Sequence, residues 1–172
     1  MNYATIKFTD FADGPGVRVA LYVSGCQKAL DGNPCPGCHN MTAWSKEYGN
    51  LFTKKIKEQI IEALDKPYIT GFSLLGGEPL SLFNIDEECK LLKEIKKKFP
   101  KKDIWVWTGY YYEDWIKKNG YHKIFKYIDY LVDGPYIERY RNLKLKFRGS
   151  SNQRILKFKR GRMVGFVNPN EV

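Results

Sequence analysis

The chain has 172 residues, 43% hydrophobic and 28% charged, with four cysteines and a formal net charge of +10. That length suits one domain over residues 1–172 and is short for two. No run approaches the roughly 18 apolar residues of a membrane span, and the first eleven residues lack the basic-then-apolar order of a signal peptide, so a cytoplasmic protein without a membrane partner is expected. Cysteines in a chain without export signals read as metal or catalytic thiols before they read as a disulfide framework. The positive charge admits nucleic acid, acidic lipid or an acidic protein, and much of it is diffuse Lys, as in Lys54, Lys55 and Lys57, which reads as a solvated face.

In chain order, Val17 to Val23 is apolar on both faces and predicts a buried strand. Thr53 can cap a helix that runs to about Lys66, with Ile56, Ile60, Ala63 and Leu64 at helical spacing and Pro67 beyond its end. Ile69 to Leu75 is a second strand. Ile85, Cys89, Leu92, Ile95 and Phe99 mark one face of a helix stopped by Pro100, and Ile104 to Trp107 follows as a strand. Glu113 to Lys126 predicts a helix broken near Asn119-Gly120, then Tyr130 to Val132 a short strand. Two strands close the pattern, Arg154 to Phe158 and Met163 to Val167, separated by Arg160-Gly161. Alternation of strand and helix predicts a mostly parallel sheet with right-handed crossovers. The loops after the strands, Gly25-Cys26, Gly76-Gly77-Glu78-Pro79, Thr108-Gly109-Tyr110 and Asp133-Gly134-Pro135, should then share the carboxyl edge, where ligands collect in such folds.

Cys26, Cys35 and Cys38 form C-x8-C-x2-C within a loop rich in Gly, Pro and Asn. Two metals compete for three such thiols: zinc with His39 as fourth ligand, and a four-iron cluster that keeps one iron free of protein ligands. An open position is what a reacting ligand requires, and a cluster is a one-electron donor. Gly76-Gly77-Glu78 fits a ligand beside it, since glycines let backbone approach and a carboxylate can hold an ammonium group; the same residues also suit an ordinary turn.

These motifs, with Asp13-Gly14-Pro15-Gly16-Val17-Arg18, Cys35-Pro36-Gly37-Cys38-His39-Asn40, Trp107-Thr108-Gly109-Tyr110, Asp133-Gly134-Pro135-Tyr136 and Phe147-Arg148-Gly149-Ser150-Ser151-Asn152-Gln153-Arg154, run through most of the chain in order. Together they resemble the anaerobic ribonucleotide reductase activating proteins, small radical S-adenosylmethionine enzymes. The resemblance implies that Cys26, Cys35 and Cys38 ligate a [4Fe-4S] cluster at the catalytic centre. Gly37, Cys38 and His39 would border S-adenosylmethionine, and Gly76, Gly77 and Glu78 would receive its amino group, with Thr108 a further contact by position. It implies a 5′-deoxyadenosyl radical that takes hydrogen from a glycine near the C-terminus of the reductase, and a one-electron donor such as flavodoxin. The expected fold is an incomplete, open β/α barrel of five to six mostly parallel strands, since a closed barrel needs roughly 200 residues or more. Two departures stand out: eight residues rather than three separate the first two cysteines, and Gly37 stands where relatives often place an aromatic residue.

Two other readings compete: a radical enzyme acting on a small molecule, and a zinc-stabilised nucleic-acid-binding module. Trp105 and Trp107 alternate as core or pocket residues within a strand, and no RNA-binding signature accompanies them, so no nucleic acid partner is expected. Cys89 lies in step with Ile85 and Leu92 and reads as a buried structural thiol, and His122 also reads as structural. Asp133 is a candidate ribose or carboxylate contact, or part of a turn. Arg148, Asn152, Gln153 and Arg154 form either a solvated loop or a recognition segment.

Overall fold

The computed structural model describes residues 1–168. Its first strand, β1 (Asn2–Asp10), runs antiparallel to β2 (Val17–Val23), and the two-residue β3 (Asn50–Leu51) pairs with the outer side of β1. From β2 the sheet continues through β4 (Ile69–Gly76), β5 (Asp103–Trp107) and β6 (Tyr130–Asp133), all parallel, then through antiparallel β7 (Arg154–Lys159) and β8 (Arg162–Phe166). The order is β3-β1-β2-β4-β5-β6-β7-β8 in one sheet.

This corrects the expected architecture. The chain forms an eight-stranded mixed sheet in which four of the seven pairings are antiparallel, not an open barrel of five or six mostly parallel strands. The physical reason lies at both ends. Only two residues, Arg160 and Gly161, join β7 to β8, and a connection that short cannot cross back to make a parallel pair. At the other end β1 is half exposed and partnered by a two-residue edge strand, so its sequence carries no continuous apolar run to reveal it.

Each central crossover is helical. After β2 come the short helix α1 (Gln27–Leu30), the 3-10 turn Met41–Trp44 and α2 (Lys54–Asp65), whose cap Thr53 accepts from the Ile56 backbone N–H. α3 (Ile85–Lys98) carries Asp86, Glu87 and Glu88 in its first turn and Lys96, Lys97 and Lys98 in its last, the order the helix dipole favours. α4 (Tyr112–Asn119) stops at Gly120, φ 75°, a left-handed position that a β-carbon would strain, and a 3-10 turn at Lys123–Lys126 follows.

Strand alternation sorts the faces. Val19, Leu21, Phe72, Leu74, Ile104, Val106, Leu131 and Leu156 pack with Ile60 and Leu64 of α2, Leu92 and Ile95 of α3 and Trp115 of α4 into one core. Burying each such side chain contributes roughly 1.5–3 kcal/mol. The residues between them face the other way, where Trp105, Val132 and Ile155 form a smaller buried cluster with Trp107, Tyr130 and Phe147, the last from the loop between β6 and β7. Among the described residues no helix is long and apolar enough to cross a membrane.

Candidate functional site at the carboxyl edge of the parallel strands

The loops after β2, β4, β5 and β6 meet around one cavity of about 270 Å³, lined by Cys26, Cys35, Cys38, His39, Gly76, Gly77, Glu78 and Thr108 among others. Backbone hydrogen bonds extend the β2–β4 ladder into these loops: Gly77 N–H donates to the Val23 carbonyl at 2.8 Å and Glu78 N–H to that of Gly25 at 2.9 Å. The Met41–Trp44 turn closes the other side, its Ala43 and Trp44 carbonyls accepting from Gly25 at 2.8 Å and Cys26 at 3.0 Å. Gly77 has to be glycine here, because a β-carbon would run into the carbonyl oxygens of Gly25 and Ala43.

Cys26 is buried, and Cys35 and Cys38 are half-buried; all three thiols are free. Burial pushes Cys26 up to about 11, opposed by the backbone N–H groups of Ala29 and Lys28. Burial likewise raises Cys35, against the pull of the Tyr136 backbone N–H and the Lys28 ammonium. Cys38 receives the indole N–H of Trp44, Nε1 to Sγ 3.4 Å. Cys38 N–H donates to the Cys35 carbonyl at 3.1 Å, which sets the turn between those two thiols. Gly37, at the tip of that turn, does not line the cavity. His39 is exposed, its ring 4.6 Å from that of Tyr136. Among the described residues no three His, Cys, Asp or Glu side chains converge tightly enough to cage a single ion.

Glu78 is fully buried, and burial lifts its carboxyl above the ordinary range while three donors oppose the shift. Oε1 accepts from Thr108 Oγ1 at 2.7 Å and Leu80 N–H at 3.0 Å, and Oε2 from Gly109 N–H at 2.7 Å. The carboxylate thereby ties the β4 loop to the β5 loop. Gly109 sits where these groups crowd: a β-carbon there would lie 3.0 Å from Cys35 Sγ, 3.3 Å from Glu78 Oε2 and 3.3 Å from Lys28 Cδ.

The chain matches the sequence model of a family described as "4Fe-4S single cluster domain" over residues 12–156. It is 43% identical over 155 residues to the anaerobic ribonucleoside-triphosphate reductase-activating protein of Enterobacteria phage T4, covering 90% of this chain and 93% of that one. Proteins of the same name from Haemophilus influenzae and Escherichia coli K12 are each 39% identical, covering 92% and 89% of this chain and 99% and 96% of theirs.

The chain belongs to this family of activating proteins.

Other expected residues take roles the structure makes plain. Asp133 is fully buried and ion-paired with Arg154, whose Nε donates to Oδ1 at 2.9 Å, while Tyr112 N–H donates to Oδ2 at 2.9 Å. Arg154 also reaches Glu113 at 2.6 Å. Gln153 accepts from Gly149 N–H at 2.8 Å and Ser150 N–H at 3.2 Å and donates to the Gly134 carbonyl at 3.1 Å; Asn152 donates to that of Pro135 at 2.7 Å. The late polar segment is therefore strapped onto the Asp133–Pro135 turn instead of lying free in solvent. Cys89 is buried in the helix-side core, as its spacing predicts. His122 caps the turn at Lys123–Lys126 by accepting from Ile124 N–H.

Sequence reasoning missed Lys28, whose ammonium stands over the Tyr110 ring at 5.0 Å, and Trp44. Lys28 is one of 29 basic residues and nothing in its spacing singles it out. Trp44 lies in a single 3-10 turn, too short to show periodicity.

Proposed function

We propose that this protein activates an anaerobic ribonucleoside-triphosphate reductase, with Cys26, Cys35 and Cys38 holding a [4Fe-4S] cluster. The observation that carries the reading is the placement of those three thiols, from the segment after β2, around one cavity that also presents Gly76, Gly77 and Glu78. The residues fit such a group. A single zinc ion would need its ligands within about 2.3 Å of one point, and among the described residues no three His, Cys, Asp or Glu side chains are grouped to hold one ion. In a cluster each thiol binds its own iron, so the three need not meet at one point, and three cysteines leave the fourth iron open. When bound, the cluster would supply one electron to cleave S-adenosylmethionine, giving methionine and a 5′-deoxyadenosyl radical that takes hydrogen from a glycine of the reductase.

The chain's own residues have definable tasks in that scheme. Gly76 and Gly77 pack their backbone against β2 and line the cavity where the methionine end would lie, and buried Glu78 fixes the Gly76-Gly77 loop against Thr108 and Gly109. Burial around Cys26 and Cys35 disfavours free thiolate, so uptake of a cationic cluster would release their protons. A one-electron donor such as flavodoxin would serve the cluster, and an oxygen-sensitive cluster of this kind fits a reducing cytoplasm.

The test is to load the protein anaerobically with iron and sulfide, add S-adenosylmethionine, a reductant and the reductase, and record electron paramagnetic resonance. The expected result is a carbon-centred radical on the reductase with formation of 5′-deoxyadenosine. Cleavage of S-adenosylmethionine without any radical on the reductase would redirect the reading to a small-molecule substrate, and a colourless zinc protein would overturn it.

A further inference from the structure

Among the three thiols, Cys38 stands apart in how its sulfur is solvated. Cys26 has the backbone N–H groups of Ala29 and Lys28 beside it, and Cys35 that of Tyr136. These donors belong to the main chain and are the same whatever side chain is present. Cys38 is met by a side chain, the Trp44 indole, with Nε1 3.4 Å from Sγ in a half-buried contact. Sulfur is a large, soft acceptor, so an N–H···S contact at that separation is an ordinary hydrogen bond. The indole is a donor only and cannot reverse its role.

The position of the indole is built, not incidental. The Met41–Trp44 turn begins just past His39 and Asn40, Ala43 is fully buried, and the Ala43 and Trp44 carbonyls are clamped by the Gly25 and Cys26 N–H groups. The same turn therefore borders the first cysteine with its backbone and the third with its side chain. Trp44 also lines the cavity.

We infer that Trp44 sets the reduction potential of the cluster held by these cysteines, through its hydrogen bond to Cys38 Sγ. The inference rests on the cluster reading above. A donor aimed at a ligand sulfur favours whichever redox state places more negative charge on it, and hydrogen bonds to sulfur are one of the levers that position iron–sulfur potentials. The step is the gain of one electron by the cluster from an external donor; no bond is made or broken in the protein. Trp44 would thus decide how strong a reductant the enzyme needs.

Trp44→Phe removes the N–H and keeps an aromatic ring. Titrate anaerobically reconstituted wild type and variant against dithionite, following the reduced-cluster signal, with iron content and thermal stability measured on the same samples. The expected result is a more negative potential in the variant, by roughly tenfold in the reduction equilibrium or about 59 mV for one electron, at unchanged iron content. Should the phenylalanine variant lose iron, benzothienylalanine at position 44, which matches the indole in shape and lacks the N–H, should give the same shift. A potential unchanged in the variant that retains its cluster overturns the inference alone. Wild-type protein that takes up no cluster overturns both the cluster reading and the inference.

Discussion

The two ends of the parallel strands are built on opposite plans. At the amino edge Arg18 is fully buried: it donates to Ser73 Oγ at 2.7 Å, the Pro15 carbonyl at 3.1 Å and the Phe72 and Asp103 carbonyls at 2.9 and 3.2 Å, and forms an ion pair with Asp103, Nη1 2.7 Å from Oδ1. One side chain thereby staples the Asp13–Gly16 loop, β4 and β5 together. Gly14 is glycine because a β-carbon would strike the Arg18 side chain 2.9 Å away, and its φ is +113°. At the carboxyl edge the loops are equally well tied through Glu78, yet three thiols are left free around a cavity. The difference teaches that Asp13-Gly14-Pro15-Gly16-Val17-Arg18 spends its polar groups on holding the sheet together, while the cysteine loop leaves its thiols free beside a cavity. The division matches the rule that chemistry collects at the carboxyl ends of parallel strands.

Breaking the two edges separately should give separable losses. The largest effect is expected for Cys26→Ala, Cys35→Ala or Cys38→Ala: iron uptake and S-adenosylmethionine cleavage fall to background while circular dichroism stays that of the folded protein. Cys89→Ala should keep both activities and lose about 1 kcal/mol of stability; loss of iron in that variant would break the ligand assignment. Arg18→Met is the converse. Removing one partner of a buried ion pair costs about 3 kcal/mol, read by urea unfolding, with iron content per folded molecule unchanged.

Gly109→Ala sharpens the contrast because it forces Cys35, Glu78 and Lys28 apart without touching the amino edge. It should weaken cluster retention about tenfold and cost roughly 1 kcal/mol in stability, checked by iron release to a chelator. The smallest effect concerns Glu88. It is fully buried with neither carboxyl oxygen partnered, and burial, with the Glu78 and Glu87 charges adding and the Met1 ammonium opposing, holds its carboxyl well above the usual range. A carboxyl raised in the folded state contributes stability below its unfolded value that is lost as pH climbs through the folded one. Glu88→Gln should therefore raise Tm by about 2–4 °C at pH 8 and leave it unchanged at pH 4; equal shifts at both pH values would contradict the assignment.

Much of the central layer was legible because burial there is two-sided or helical. Val17 to Val23 reads as a strand and is one, and Thr53, Pro67 and Pro100 mark helix ends that the structure keeps. The β1 flank was not legible, since β1 is half exposed with no continuous apolar run and pairing direction is not encoded in hydrophobic period. In the β7–β8 hairpin the signal was present in the two-residue connection and points to the mixed sheet directly. Spacing singled out the thiols and Gly76-Gly77-Glu78, and position after a strand singled out Thr108, all of which line one cavity, but not that the Thr108 hydroxyl already donates to Glu78, nor that Asp133 is closed off by Arg154. Those are tertiary pairings between residues 30 and 21 positions apart, invisible to local pattern.

The proposed activity requires that Cys26, Cys35 and Cys38 hold a cluster with an open iron. Electron paramagnetic resonance of anaerobically reconstituted, dithionite-reduced protein, with and without S-adenosylmethionine, tests this most directly. A reduced-cluster signal that changes on adding S-adenosylmethionine is the predicted result. A cluster signal indifferent to it, or a protein that holds zinc and gives no signal, would contradict the account.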